Sequence, residues 1–210
     1  MKITYGVTVC DEAEELNSLL NFLLLNIDEE DEVIVLRDMT KTNNEITELL
    51  VKYHEVFKER MVSLDFSLNG DFATFKNKLI EHATGDYLFQ IDADEIPNQF
   101  LIENIKPVLK VNSTIECFYI PRVNKVIGLT PSHIQKWGWR VDDQERVNFP
   151  DPQMRLFKLG KGIKWINKVH EVLDGCKSIT ILPYDTDDFC LYHIKSIEKQ
   201  EAQNNFYTKL

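Results

Sequence analysis

One stretch decides the fold: Tyr87-Leu88-Phe89-Gln90-Ile91-Asp92-Ala93-Asp94-Glu95. Its first five residues are uncharged and mostly apolar, which predicts a buried strand, and three carboxylates follow within four residues. Like charges packed at a strand end repel one another unless a cation or hydrogen-bond donors compensate them. Because Mg²⁺ and Mn²⁺ bind carboxylate oxygens readily, the cluster indicates either a metal site or a solvated acidic turn.

The sequence before this strand alternates apolar strands with amphipathic helices. Strands are predicted at 3–9, 32–36 and 61–66, and helices at 12–26, 46–57 and 72–82. Such units predict an α/β fold with a mostly parallel sheet covered by helices on both faces. Ligands of these sheets bind at the carboxyl ends of the strands, so the polar residues there are the first candidates for a functional site.

The alternation ends after a predicted helix at 99–110. We expect a strand at 116–123, a long irregular segment at 125–151, strands at 153–157 and 164–173, and a terminal helix at 196–207. An irregular segment of this length inside a compact domain is usually functional. One continuous domain over 1–210 is therefore expected.

The amino-acid composition indicates a globular protein. The chain has 210 residues, of which 43% are hydrophobic and 28% charged, as in ordinary globular proteins. Its longest apolar runs have four residues, and Asp11 and Glu12 follow the N-terminus too closely for a signal peptide. These features predict a cytoplasmic protein without a transmembrane segment. The four cysteines are widely spaced, and we expect free, buried thiols.

Several ordered motifs resemble the family 2 glycosyltransferases, which have the GT-A fold. The matching segments are Val9-Cys10-Asp11-Glu12, Leu36-Arg37-Asp38, Lys76-Asn77-Lys78, Thr84-Gly85-Asp86-Tyr87 and Asp92-Ala93-Asp94-Glu95. In the second half, Arg155-Leu156-Phe157, Val169-His170-Glu171 and Leu191-Tyr192-His193-Ile194 resemble a soluble branch that includes lipopolysaccharide-core glucosyltransferases. Two departures stand out: Asp38 is the one aspartate left of a longer acidic motif, and we expect no membrane-associating helices of the kind that larger members have.

The resemblance implies a transferase that moves a hexosyl or pentosyl group from a nucleoside-diphosphate sugar, most simply a UDP-sugar, with Mn²⁺ or Mg²⁺ as cofactor. It divides the domain into a nucleotide-sugar half, 1–117, and an acceptor half, 118–210. Asp94 and His193 are the implied metal ligands. Glu171 is the implied base of an inverting displacement, with Glu95 as the alternative. The implied donor-binding residues are Val9, Asp11, Glu12, Asp38, Asn77, Lys78, Asp92 and Arg155.

The middle of the chain predicts an anionic acceptor. Residues 118–168 hold ten Lys and Arg against four Asp and Glu, together with all three tryptophans, although the net charge of the chain is −10. Basic residues among large aromatics suit phosphates and flat rings. The acceptor candidates are a hydroxymethylated pyrimidine in phage DNA, which implies a host-cell cytoplasm, and a phosphorylated glycan. The acceptor-binding candidates are Lys136, Trp137, Trp139, Arg140 and His170.

Other interpretations of the same residues stay open at this point. The acidic cluster with the basic middle also suits a metal-dependent nuclease, and the acidic residues could belong to a noncatalytic nucleotide-binding module. Individual candidates could be structural: Asp38 a turn residue, His193 a core histidine, Glu171 a solvated strand end, Arg155 a solvent-facing side chain, and the tryptophans the packing of a lid.

Overall fold

The computed structural model describes residues 1–41 and 43–207. The helices are α1 (Ala13–Asn26), α2 (Asn44–Phe57), α3 (Phe72–His82), α4 (Gln99–Val111), α5 (Pro131–Trp137) and α6 (Ile197–Tyr207). The strands are β1 (Ile3–Val9), β2 (Glu32–Asp38), β3 (Met61–Phe66), β4 (Tyr87–Asp92), β5 (Glu95–Pro97), β6 (Cys117–Ile120), β7 (Arg122–Ile127), β8 (Gln153–Lys158), β9 (Lys164–Ile166), β10 (Val172–Asp174), β11 (Ile179–Ile181) and β12 (Leu191–Ser196).

The central sheet has seven strands in the order β11-β6-β8-β4-β1-β2-β3. Strands β1 to β4 are parallel to one another, which confirms the predicted α/β class. Strand β8 lies antiparallel between β4 and β6 and so joins the two halves of the chain in one sheet. A smaller sheet pairs β12 with β5 and β7 and places the second half over the carboxyl end of β4.

The two faces of the sheet carry separate apolar cores. On one face, α1, α2 and α4 pack against alternate residues of β1, β2 and β4, such as Tyr5, Val33 and Phe89. On the other, the intervening residues pack against α3 and β9, as Leu88 does beside Leu79. Strands covered on both faces form near-continuous apolar runs, and this pattern made the first half predictable.

The second half departs from the predicted strands. Residues 164–173 form two short strands, β9 and β10, which pair as an antiparallel hairpin, rather than one strand. Asn167 and His170 have φ angles of 72° and 55°, a backbone conformation that interrupts an extended strand. The predicted strand at 116–123 is also two, β6 and β7, separated at Pro121, and the segment at 125–151 contains the helix α5.

The expectation of four free thiols is wrong. Cys117 and Cys176 form a disulfide with a Cα–Cα distance of 6.2 Å, while Cys10 and Cys190 are free. Cys117 and Cys176 are 59 residues apart, and the sequence does not indicate that they pair, because only the folded chain brings β6 beside the loop after β10. Within the described residues, no helix is long and apolar enough to span a bilayer.

Candidate active site

A cavity of about 960 Å³ lies at the carboxyl ends of β1, β2 and β4, where the α/β pattern predicts ligand binding. Both halves of the chain line it. The first half contributes Val9, Glu12, Asp38, Asp92 and Asp94, and the second contributes Trp139, Arg155, His170, Glu171 and His193. Ten of the residues selected from the sequence therefore surround one space, although they are spread over nearly the whole chain.

Two arginines offset the negative charge of two of the three carboxylates in the acidic cluster. Arg155 Nη2 donates to Asp92 Oδ2 and, at 2.8 Å, to Glu95 Oε1. Arg122 Nη1 donates to the same Glu95 oxygen at 2.8 Å. Thr8 Oγ1 donates to Asp92 Oδ1 at 2.7 Å. The arginine side chains that bind Asp92 and Glu95 therefore reduce the expected repulsion among the three carboxylates.

These contacts give two of the predicted residues partners within the cluster. Arg155 is 4% exposed, so it does not face bulk solvent, and at the cavity wall it binds Asp92 and Glu95. Burial disfavours the charge on Asp92, but Arg155 and Lys76 outweigh burial and hold the pKa of Asp92 well below its usual range. Glu95 is fully buried between two arginines, which leaves it unsuited to act as the alternative base.

Asp94 is the carboxylate of the cluster without an arginine partner among the described residues. Its Oδ2 lies 3.0 Å from His193 Nε2, and His193 Nδ1 lies 2.7 Å from Asn124 Oδ1. The two side chains come from β12 and from the turn after β4, and they meet because β12 pairs with β5. The predicted metal ligands are therefore neighbours at the edge of the cavity.

The chemistry of this pair fits a divalent cation. A carboxylate oxygen and an imidazole nitrogen are ligands that Mn²⁺ accepts, and such ions commonly complete their shell with water and substrate phosphates. Within the described part of the chain, no group of three His, Cys, Asp or Glu side chains could hold a metal ion. Asp94 and His193 would supply two protein ligands and leave the remaining positions to a diphosphate and water.

Glu171 lies across the cavity, at the start of β10. Its Oε1 accepts a hydrogen bond from Lys76 Nζ, and its Oε2 has no hydrogen-bond partner among the residues described. Lys76 also lies over the Trp165 ring, 4.9 Å from its centroid. Lys76 and Trp165 fix the position of the carboxylate, and Oε2 remains available to accept a proton.

Residues just after β1 and at the end of β2 also line the cavity. Glu12 Oε2 accepts from the backbone N–H groups of Cys10 and Asp11 at 2.9 and 3.0 Å. Asp38 Oδ1 accepts from the N–H groups of Thr40 and Leu68, both at 2.9 Å. Burial opposes ionisation of Asp38, but these donors lower its pKa. Glu12 and Asp38 thus organise the loops that border the cavity.

Three predicted donor-binding residues lie away from the cavity. Asp11 is exposed and pairs with Lys41 at 2.9 Å. Asn77 exchanges two hydrogen bonds with the Trp165 backbone, at 2.8 and 2.9 Å, and so joins α3 to β9. Lys78 pairs with Glu81 at 2.6 Å. Lys76 is the member of the 76–78 motif that lines the cavity, and the donor-binding role of Asp11, Asn77 and Lys78 stays a prediction.

Sequence reasoning missed Lys76, although a signal was present. Phe72, Phe75, Lys76 and Leu79 follow the spacing of one helix face, and Phe75 and Leu79 mark that face as buried. Thr8, Asn124 and Lys195 also line the cavity and were missed, because each lies outside the motifs that the sequence analysis selected. Burial and the nearby Arg122 lower the pKa of Lys195.

The aromatic residues form a cluster at the rim of the cavity. His133 stacks on Trp137 with ring centroids 5.2 Å apart, and Trp137 lies 4.6 Å from Trp139. Trp139 lines the cavity, whereas Lys136, Trp137 and Arg140 do not. His170 lines the cavity and is exposed. Of the predicted acceptor-binding residues, the structure brings Trp139 and His170 to the site.

The fold and the cavity together define a class: a GT-A protein, with a mostly parallel sheet, helices on both faces and an acidic cleft at the strand ends. The sequence model described as Glycosyl transferase family 2 matches residues 5–199, and the chain belongs to this family.

Two glycosyltransferases named SunS, one derived from the SPbeta prophage of Bacillus subtilis (strain 168) and one of Bacillus phage SPbeta, are each 28% identical to the chain over 169 residues. The matched region is 80% of this chain and 34% of each relative, so the chain spans about a third of their length.

Solved structures support the fold. The crystal structure of S. aureus TarS 1-349 superposes with a TM-score of 0.64 at 14% identity, covering 92% of this chain and 60% of TarS 1-349. The complexes of the same protein with UDP and with UDP-GlcNAc give TM-scores of 0.62 and 0.61, both at 16% identity. They cover 92% and 93% of this chain and 60% and 59% of the matched TarS chain.

Proposed function

We propose that this chain transfers a sugar from a nucleoside-diphosphate sugar, a UDP-sugar, to an acceptor hydroxyl. The observation that carries the proposal is the convergence of Asp94, His193 and Glu171 on one cavity at the strand ends of a family 2 glycosyltransferase. The UDP and UDP-GlcNAc complexes of S. aureus TarS, which share the fold, support the choice of donor.

The proposed mechanism is a single displacement with inversion. A divalent cation held by Asp94 and His193 would offset the negative charge that grows on the leaving diphosphate. Glu171 Oε2 accepts the proton of the attacking hydroxyl from the other side of the sugar, while Lys76 holds Oε1. Removing a general base of this kind typically lowers the rate by about 10²–10⁴-fold.

The acceptor is proposed to be anionic and to stack a ring on Trp139, with His170 beside it. Lys136 and Arg140 are exposed near this rim and would bind phosphates outside the cavity. A hydroxymethylated pyrimidine in DNA is the first candidate, since the curated relatives are named as phage or prophage glycosyltransferases. A phosphorylated glycan is the alternative acceptor.

The test is release of nucleoside diphosphate from a panel of nucleotide sugars with Mn²⁺, with Mg²⁺ and with EDTA. Glu171→Gln and Asp94→Asn are each expected to lower release by at least about 10²-fold. Asp174→Asn, an exposed change at the other end of β10, is the matched control and should retain the wild-type rate.

Each acceptor class gives a distinct result in this assay. Faster release with hydroxymethylated DNA, but not with unmodified DNA, would identify the pyrimidine hydroxyl as the acceptor. Faster release with phosphorylated glycans alone would identify the glycan. No release and no binding of any nucleotide sugar would refute the proposed transferase, and full activity in EDTA would refute the metal requirement.

A further inference from the structure

The hydrogen bonds of Asn124 determine which nitrogen of His193 carries a proton. Asn124 Nδ2 lies 2.6 Å from Asp151 Oδ2, and Asn124 Oδ1 lies 2.7 Å from His193 Nδ1. An ionised carboxylate only accepts hydrogen bonds, so the NH₂ group of Asn124 must face Asp151. Its oxygen therefore faces His193 and requires a donor there, which places a proton on Nδ1.

Hydrogen bonds to Asp151 fix the orientation of the Asn124 amide group. Arg122 donates to Asp151 Oδ2 from Nε at 2.9 Å and from Nη2 at 2.8 Å. Gln153 Nε2 donates to Asp151 Oδ1 at 3.1 Å. These three donors hold the carboxylate in place, and Arg122 is itself held by Glu95. The amide of Asn124 thus has one favourable orientation.

This orientation controls the atoms that face the cavity. With Nδ1–H donating to Asn124, Nε2 faces the Asp94 carboxylate 3.0 Å away, and in the metal-free protein a second proton on Nε2 would donate to that carboxylate. A cation that displaces this second proton meets two ligand atoms, His193 Nε2 and the Asp94 oxygen, which converge on one point. Without Asn124 as partner of Nδ1–H, the neutral ring would keep its proton on Nε2 for Asp94, and both ligand atoms would be occupied.

We propose that Asn124 is a positioning residue that holds the proton of the His193 ring on Nδ1 when a cation binds, and so leaves Nε2, beside Asp94, as the nitrogen that binds Mn²⁺. Asp151 and Arg122 hold Asn124 in turn. The proposal rests on the proposed function for the role of the cation in transfer, but not for the geometry of the pair. Metal-bound histidines usually donate their second N–H to such a partner, and removal of the partner typically costs about 10–100-fold in metal affinity.

The choice of metal follows from the same geometry. An imidazole nitrogen with a free lone pair favours transition metals, whereas Mg²⁺ and Ca²⁺ favour oxygen ligands. Asn124 therefore contributes to preference for Mn²⁺ over Mg²⁺. A variant that loses the Nδ1–H tautomer is expected to lose Mn²⁺ affinity while its weaker binding of Mg²⁺ changes less.

The first readout is spectroscopic and uses the full chain with Zn²⁺, a diamagnetic cation that imidazole binds, and without donor or acceptor. Nitrogen NMR of ¹⁵N-histidine protein reports which ring nitrogen carries a proton and which binds the cation, and His193→Gln identifies the His193 signals. We expect Nδ1–H and a metal-bound Nε2 in the wild type. In Asn124→Leu, whose leucine cannot accept a hydrogen bond, we expect Nε2 to keep its proton at the Zn²⁺ concentration that saturates the wild type. A wild-type ring that binds the cation through Nδ1, or that keeps its proton on Nε2, would overturn the proposal.

The second readout is Mn²⁺ binding, followed by the electron paramagnetic resonance signal of the free ion. Asn124→Leu is expected to raise the dissociation constant for Mn²⁺ by about 10–100-fold. Gln200→Leu, a polar-to-apolar change elsewhere in the cavity, is the matched control and should bind Mn²⁺ as the wild type does. Unchanged affinity in Asn124→Leu would refute the positioning role.

A conservative variant covers the case in which leucine disturbs folding. Asp151 has a φ angle of 38°, which asparagine tolerates, so Asp151→Asn keeps the local backbone and removes the carboxylate charge that orients Asn124 and pairs with Arg122. It should weaken the hold of Asn124 on Nδ1–H and bind Mn²⁺ with intermediate affinity. Failure of the transferase assay with intact Mn²⁺ binding would count against the proposed function alone, so the two proposals fail separately.

Discussion

At the residue scale, Arg155 connects the acidic cluster to the antiparallel strand β8. The alternation Met154-Arg155-Leu156 predicts that Arg155 points away from its neighbours, and it does so into the protein, toward Asp92 and Glu95. Both carboxylates lie within hydrogen-bond reach of one guanidinium group. A buried ion pair of this kind is costly to break, because the remaining charges stay buried without a partner.

Arg155→Met is therefore expected to lower the free energy of unfolding by about 3–5 kcal/mol, as measured by urea denaturation. Arg37→Met is the control: it breaks the pair between Arg37 and the half-exposed Asp65 and should cost less than about 1 kcal/mol. Equal losses in the two variants would show that the Arg155 pair is not specially stabilising.

At the scale of elements, the β9–β10 hairpin is the unit that brings Glu171 to the cavity. Trp165 of β9 packs on Phe157, and its Nε1 donates to Gln90 at 3.0 Å. Asn77 ties the backbone of β9 to α3. Just after the hairpin, the Cys117–Cys176 disulfide joins the chain to β6. The position of the proposed base depends on contacts with elements from both halves.

Cys176→Ser is expected to destabilise the protein by up to about 4 kcal/mol, since the bridge closes a loop of 59 residues. The measurement is urea denaturation with and without dithiothreitol. The reductant should lower the stability of the wild type toward that of the variant and leave the variant unchanged. Four titratable thiols in the denatured, unreduced protein would contradict the pairing.

At the scale of the whole molecule, several carboxyl groups with lowered pKa values link stability to pH. Asp38, Asp92 and Glu32 are partly buried, which opposes their charge, but hydrogen-bond donors and cations outweigh burial and lower each pKa. Such a group stabilises the fold above its unfolded pKa, near 4, and loses that contribution as the pH falls toward its folded pKa.

The free energy of unfolding is therefore expected to fall as the pH is lowered from about 5 toward about 2. The measurement is a series of urea denaturations from about pH 7 to about pH 2. Asp38→Asn removes one of the responsible groups and should show a smaller loss over the same range. A loss as large as in the wild type would exclude Asp38 as a contributor.

Much of the fold could be predicted because its signals are local. Strand β1 at 3–9, strand β3 at 61–66 and helix α3 at 72–82 have the predicted bounds, since each combines a clear periodicity with end signals such as Asp71, whose side chain caps α3 at Thr74. The hairpin at 164–174 could not be predicted in this way, because its turn depends on backbone angles at Asn167 and His170 rather than on glycine or proline.

The sequence by itself determined the α/β class, the family, and the strand ends at which Asp92, Asp94 and Glu12 lie, because alternation and local motifs encode these features. Only the tertiary structure decided that Lys76 rather than Asn77 reaches Glu171, that Arg155 pairs with Asp92 and Glu95, and that Asn124 faces His193. Those pairs lie 60 or more residues apart, and the packing of the two halves alone brings their atoms into contact.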